Sequence, residues 1–236
     1  MPTITRTLVI PDLHHRTENA DHLLDSIPHD RVVFLGDFFD SYGDEAEDAA
    51  RTAEWLSRQM ERENAVFIFG NHDLPYRFHG DERVECPGFS HAKSDAINRV
   101  LKREHWDRFC LAHSEQGWLL SHAGFHPAWM KGASQEAILA RCDAAMRLAR
   151  EGRIDPILGM GELPSGIQKF GGPLWMDWCS FMPIKGISQI VGHSQDDVVR
   201  TIAAEESVNH CIDVAYGGAA ALIVDGKVEI LRKKLR

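Results

Sequence analysis

Apolar residues fall along this chain in short β-rich runs at residues 7–10, 32–35, 65–69, 118–120 and 187–191, each predicted as a strand. Between the strands the period changes. Over residues 45–63, Ala46, Ala49, Ala50, Ala53, Leu56 and Met60 recur every three or four positions, which places them on one face of a helix. A second helix is predicted over residues 134–150, where Ser134 supplies a cap, Gln135 and Glu136 stand in the first turn and Arg147 and Arg150 in the last. Gly152 falls where a left-handed cap would end it. Shorter helices are expected over residues 19–27 and within 95–110, and the tail from 207 to 231 reads as strands turned at Tyr216-Gly217-Gly218 and Asp225-Gly226. Alternation of strand and helix implies a largely parallel sheet with an antiparallel finish, in a single α/β domain spanning residues 1–236. Residues 153–185 hold Gly, Pro and Trp without a period, so they are expected to form a long ordered loop that can cover a functional site.

Composition acts mainly by exclusion. With 236 residues and 44% apolar content the chain can bury a sizeable core. No apolar run approaches the roughly 18 residues needed to span a bilayer. The opening Met1-Pro2-Thr3 shows no signal-peptide pattern, so a cytoplasmic protein with no membrane partner is expected. Five scattered cysteines without a Cys-x-x-Cys pair argue against a disulfide framework or a thiolate zinc site and for free thiols. A net charge of −9 disfavours extended nucleic acid as a partner. It leaves a small or medium phosphorylated substrate open, because bound divalent cations can reverse the local field.

The chemistry sits where the five apolar runs end: Asp12-Leu13-His14, Gly36-Asp37-Phe38-Phe39-Asp40, Gly70-Asn71-His72-Asp73, Ser121-His122-Ala123-Gly124 and Gly192-His193-Ser194-Gln195. Carboxyl ends of strands in an open α/β sheet line up along one edge, so these segments should converge on one polar site. Imidazole, carboxylate and a single amide, with no thiolate, suit manganese, iron or zinc. A carboxylate can bridge two such cations, and two cations can lower the pKa of a shared water. No Gly-x-x-x-x-Gly-Lys-Ser/Thr segment is present for P-loop phosphotransfer.

At these residues the chain resembles the calcineurin-like metallophosphoesterases, whose pattern runs Asp-x-His, Gly-Asp-x-x-Asp, Gly-Asn-His-Asp/Glu, His and Gly-His, with all five blocks present in order between Asp12 and His193. The resemblance implies a four-layer α-β-β-α sandwich around a central pair of mixed sheets. It also implies a phosphatase that cleaves phosphate monoesters by attack of a metal-bound hydroxide, using two divalent ions, manganese first and iron or zinc as alternatives. Residue by residue, Asp12 and His14 look like ligands of the first metal and Asp37 like the bridge, while Asn71, His122 and His193 look like ligands of the second. His72 would be the general acid, oriented by Asp40. A carboxylate behind an imidazole fixes its tautomer and raises its basicity, which suits that role independently.

Departures from the pattern bear on the substrate. Ser41 follows Asp40 where the serine/threonine phosphatase branch has arginine, so one phosphate clamp is missing. The segment Gly172-Pro173-Leu174-Trp175-Met176-Asp177 is similar to a Gly-Pro-Leu-Trp-x-Arg loop of the bacterial-type phosphatase and diadenosine tetraphosphatase branch, with Asp177 in place of a second arginine. Gln195 stands where many members carry a further histidine ligand. Arg77 is the nearest candidate for a replacement clamp, His15 a candidate substrate contact, and Trp175 and Trp178 are read as packing the long loop. A phosphodiesterase or nucleotide pyrophosphatase using the same centre is the alternative. A non-catalytic scaffold is a minor one, since the ligand blocks are intact.

Overall fold

The structure is a computed structural model that describes residues 5–78, 81–128, 130, 132–160, 171–204 and 206–232. In chain order its strands are β1 (Arg6–Ile10), β2 (Arg31–Phe34), β3 (Ala65–Ile68), β4 (Phe109–Cys110), β5 (Ala112–Glu115), β6 (Trp118–Ser121), β7 (Ser188–Val191), β8 (Arg200–Ala204), β9 (Ser207–Cys211), β10 (Ala219–Val224) and β11 (Lys227–Arg232). They form two mixed sheets, ordered β11-β10-β1-β2-β3-β4 and β5-β6-β7-β9-β8. The five predicted runs are therefore shared between two sheets, β1 to β3 in one and β6 and β7 in the other. This corrects the expectation of a single sheet edge. Runs buried on both faces carry no mark of which sheet they join.

Alternation along the strands explains how the sheets face each other. Val9, Val33, Leu35, Ile68 and Ile223 of the first sheet point to the middle of the sandwich and meet Leu120, Ile190 and Ile212 of the second. Their neighbours Leu8, Ile10, Val32, Phe34 and Phe67 point outward into the larger core. There they meet α1 (Thr17–Ser26) and α2 (Ala46–Gln59), with Trp55 of α2 edge-on to Phe34 at 5.7 Å. Two short turns of helix, α3 (Leu74–Arg77) and α5 (Arg103–Trp106), flank α4 (His91–Val100), which packs on α2. The other outer layer is α6 (Gln135–Arg150), lying against β5. Ser134 caps α6 through Ala137 N at 3.3 Å and Gly152 takes a left-handed φ of 77°, as the sequence predicts. The result is the expected α-β-β-α order of layers.

Register carries the strand ends to a common level. In the first sheet Ile10 pairs with Phe34 and Phe34 with Phe67, all in parallel, so the chain leaves β1, β2 and β3 at one edge. In the second, Leu120 pairs with Ile190 and Val191 with Cys211, again in parallel. The turns then pass so close that no side chain fits: a Cβ on Gly70 would overlap Asp37 Oδ1, and one on Gly192 would overlap Asp12 Oδ1. Strands β4, β5 and β8 were not foreseen. Ala112-His113-Ser114-Glu115 has no apolar run, and β8 is a largely exposed edge strand. Of the loop expected over 153–185, residues 161–170 lie outside the described residues. The five cysteines are free, and among the described residues no helix is long and apolar enough to cross a membrane.

Candidate metal centre

Three of the five strand ends, those of β1, β2 and β7, deliver their polar residues through strained backbone. His14, His15, Asp37, Asp40 and His193 have φ between 43° and 66°, five of the eight non-glycine residues with positive φ among those described. Such conformations cost about 1–3 kcal/mol each and persist where the surroundings enforce them. Here the enforcement is visible: Leu13 N and His14 N both donate to Asp37 O at 3.0 and 2.8 Å, and His15 N donates to Phe38 O at 3.0 Å. Asp73 accepts from Phe38 N at 2.8 Å and Gly70 N at 2.9 Å, so it ties two of the turns together.

All six residues that the resemblance points to come together, in two groups that share Asp37. Donor atoms of Asp12, His14 and Asp37 lie within 4.8 Å of one another, as do those of Asp37, His122 and His193. Asp37 Oδ2 stands 3.5 Å from both His14 Nε2 and His122 Nε2. Asn71 Oδ1 completes the second group at 2.9 Å from His122 Nε2 and 3.0 Å from His193 Nδ1.

The donor set fits a cation and fits poorly without one. His14 Nδ1 donates to Asp40 O at 2.6 Å and His122 Nδ1 to Leu35 O at 2.9 Å, which leaves the Nε2 lone pair of each ring facing inward. Those lone pairs confront carboxylate and amide oxygens, an acceptor-to-acceptor array that positive charge resolves. Burial, then Asp213 and Asp37, push the Asp12 carboxyl well above its usual range. Burial and the neighbouring His122 pull His193 down to about 4. Burial works against ionisation of Asp37 too, but His122, His72 and His14 outweigh it and bring the group to about 2.

Next to this cluster stands a second network. His72 Nδ1 bonds Asp40 Oδ2 at 3.0 Å, while His72 N donates to Asp37 Oδ1 at 2.9 Å. Burial opposes charge on His72, yet Asp40 and Cys86 reverse the balance and raise the ring to about 11. Asp40 is itself held: Tyr76 Oη donates to Oδ1, and the buried Lys93 donates to Oδ1 at 2.8 Å and to Asp44 at 3.1 Å. Asp44 in turn binds His15 Nε2 at 2.8 Å, and His15 Nδ1 meets Thr52 Oγ1 at 2.7 Å. His15 therefore steadies this network and does not line the cleft.

The cleft over the cluster holds about 610 Å³ and is lined by His14, His72 and His193 together with Arg16, Lys93 and Asp213. The last three were missed by sequence reading. Asp213 follows β9 at the level of His193, one strand over, so it was the one recoverable from a strand-end pattern. Arg77 points elsewhere, stacking over Phe78 at 4.9 Å and reaching toward Asp107 at 3.7 Å, and is not a replacement clamp. Trp178 stacks on Phe181 at 4.5 Å, whereas Trp175 lies edge-on to His193 at 6.3 Å, so the long loop does reach the site. Gln195 also lines the cleft.

A family model described as calcineurin-like phosphoesterase matches residues 5–197, most of the chain. Several solved structures share the fold. A cold-active protein-tyrosine phosphatase from a psychrophilic Shewanella species aligns with a TM-score of 0.58 and 18% identity over 98% of this chain and 83% of that one. A protein assigned as a diadenosine tetraphosphatase gives 0.56 and 13% over 98% and 95%. A protein serine/threonine phosphatase from Saccharomyces cerevisiae gives 0.54 and 14% over 98% and 81%. No curated protein matches the sequence significantly.

Proposed function

The chain belongs to the calcineurin-like phosphoesterase family, a metal-dependent group of hydrolases acting on phosphate esters, and from that premise we propose that it is a phosphomonoesterase with a dinuclear centre. Asp12, His14 and Asp37 hold one divalent cation, and Asp37, Asn71, His122 and His193 the other. The observation that carries this reading is the sharing of Asp37 between two donor groups, each within 4.8 Å. Manganese is the proposed ion, with iron or zinc as alternatives compatible with the same donors. Cations bound there supply Lewis acidity, which lowers the pKa of water and offsets charge on the phosphate oxygens.

The protein's own groups do the rest. His72 presents its Nε2 side to the cleft and gives its proton to the leaving oxygen, while Asp40 holds Nδ1 and keeps the ring charged. Lys93 and Tyr76 fix Asp40 so that the ring cannot swing away. The size of the cleft, about 610 Å³, suits a small or medium phosphorylated substrate and not an extended nucleic acid. Metal-supplemented protein is expected to release phosphate from p-nitrophenyl phosphate and other members of a monoester panel. Release from none of them would remove the proposal. The second reading, a diesterase or nucleotide pyrophosphatase, draws on Ser41 and Asp177, which stand where family members carry phosphate-clamping arginines. Faster turnover of bis(p-nitrophenyl) phosphate or of dinucleotide polyphosphates would favour it.

The same assignment predicts how acid strips the centre. Protons compete with metal for each donor. Asp12, whose carboxyl sits well above its usual range, takes up a proton early as pH falls, whereas His193 and Asp37 resist down to about 4 and about 2. Metal content measured against pH should therefore drop in two steps, the Asp12 and His14 position first. A single step, or full occupancy maintained at pH 4, would contradict the assignment.

A further inference from the structure

We propose that Arg16 supplies the phosphate clamp that the chain lacks at Ser41 and Asp177; this deepens the phosphatase reading and rests on it. Besides the His72 ring, the cationic side chains lining the cleft among the described residues are Lys93 and Arg16, and they differ in one respect. Lys93 is consumed by Asp40 and Asp44. Arg16 has no ion pair or side-chain hydrogen bond among the described residues, and its Nε and Nη2 are shut off from solvent with no partner. Those two nitrogens form the lateral edge of the guanidinium, the fork whose parallel N–H groups match two oxygens of a phosphate. A buried donor left unsatisfied has lost its hydration with nothing in return. The fork is covered in this arrangement, so the guanidinium must turn toward the cleft to meet an anion, and no ion pair or side-chain hydrogen bond among the described residues holds it back.

Position supports the same conclusion. Arg16 follows His14 by two residues, and its backbone is tied by Arg16 N donating to Leu13 O at 2.9 Å and Asn19 N donating to Arg16 O at 3.1 Å. The guanidinium thus hangs from a fixed point at the start of α1, in the cleft that Asp213 and Gln195 also line. It lies close enough to Asp213 to favour that carboxylate's charge, without forming an ion pair with it. A terminal phosphate dianion offers more charge and one more free oxygen than a diester. A fork beside the centre therefore favours monoesters.

The test is the binding of inorganic phosphate to manganese-loaded protein, followed by calorimetry in wild type, Arg16→Ala and Arg16→Lys, with metal content measured in each. Loss of the fork should weaken phosphate binding by about 10- to 100-fold in Arg16→Ala, the range expected for charge-assisted hydrogen bonds, with metal content unchanged. Hydrolysis of p-nitrophenyl phosphate should fall more than that of its bis ester, and added guanidinium should partly rescue Arg16→Ala. Arg16→Lys keeps the stem and the charge, and so protects the fold, yet should recover only part of the affinity. Unchanged phosphate binding in both variants, or full recovery with lysine, would overturn the clamp. If wild type bound phosphate through Arg16 but cleaved no monoester, the clamp would stand and the phosphatase reading would fall.

Discussion

Replacing His72 with alanine is expected to lower kcat on a monoester by about 10²- to 10⁴-fold while leaving metal content unchanged, the usual weight of general acid catalysis. Both halves of the outcome come from the geometry. His72 Nδ1 is committed to Asp40 at 3.0 Å, and the ring is absent from both donor groups that contain Asp37. Only its backbone N–H touches Asp37, at 2.9 Å, and alanine keeps that bond. The loss should be smallest for substrates whose leaving group is a stable phenolate, which needs no proton, and largest for alkyl phosphates. Equal losses across leaving groups would show that His72 only positions substrate. Loss of metal together with rate would make it a ligand.

How far the chain could be read before folding depends on where the information lies. The six donors and His72 stood in five compact blocks, because a strand end must deliver glycine, acid and imidazole within a few residues to reach a shared centre. Local spacing therefore records them. Lys93 meets Asp40 across 53 residues, from a helix whose pattern shows only a mixed face. Arg16 sits one residue before α1 and resembles any exposed helix-start cation until its fork is seen to lack a partner. Asp213 is hidden differently: the tail's pattern predicts strands, but parallel pairing of β9 with β7, which sets the aspartate level with His193, is a property of the sheet. The pair of sheets came only through the family resemblance, and which strand joins which sheet is hidden from periodicity for the same reason. Burial on both faces erases the alternation that would tell one sheet from the other.

Exchanging Asp37 for asparagine is expected to have the larger consequence: loss of metal from both positions and a fall in kcat of roughly 10³-fold or more, the several kcal/mol that metal-ion catalysis supplies. The substitution is nearly isosteric, so the turn should survive. Its oxygen can still accept from His72 N, as Asp37 Oδ1 does at 2.9 Å. The new amide nitrogen would take the place of Oδ2 and donate toward the Nε2 lone pairs of His14 and His122, each now 3.5 Å away. That removes the acceptor-to-acceptor conflict which a cation otherwise resolves, so the metal-free fold gains while the holo form loses its shared anion. Asp12→Asn provides the control, because Asp12 belongs to only one of the two groups. The ratio of metal to protein should fall from two toward one in Asp12→Asn and toward zero in Asp37→Asn, with both variants melting cooperatively. If Asp37→Asn instead retained as much metal as Asp12→Asn, the carboxylate would not be shared, and the two groups would have to be assigned to separate, independently held ions.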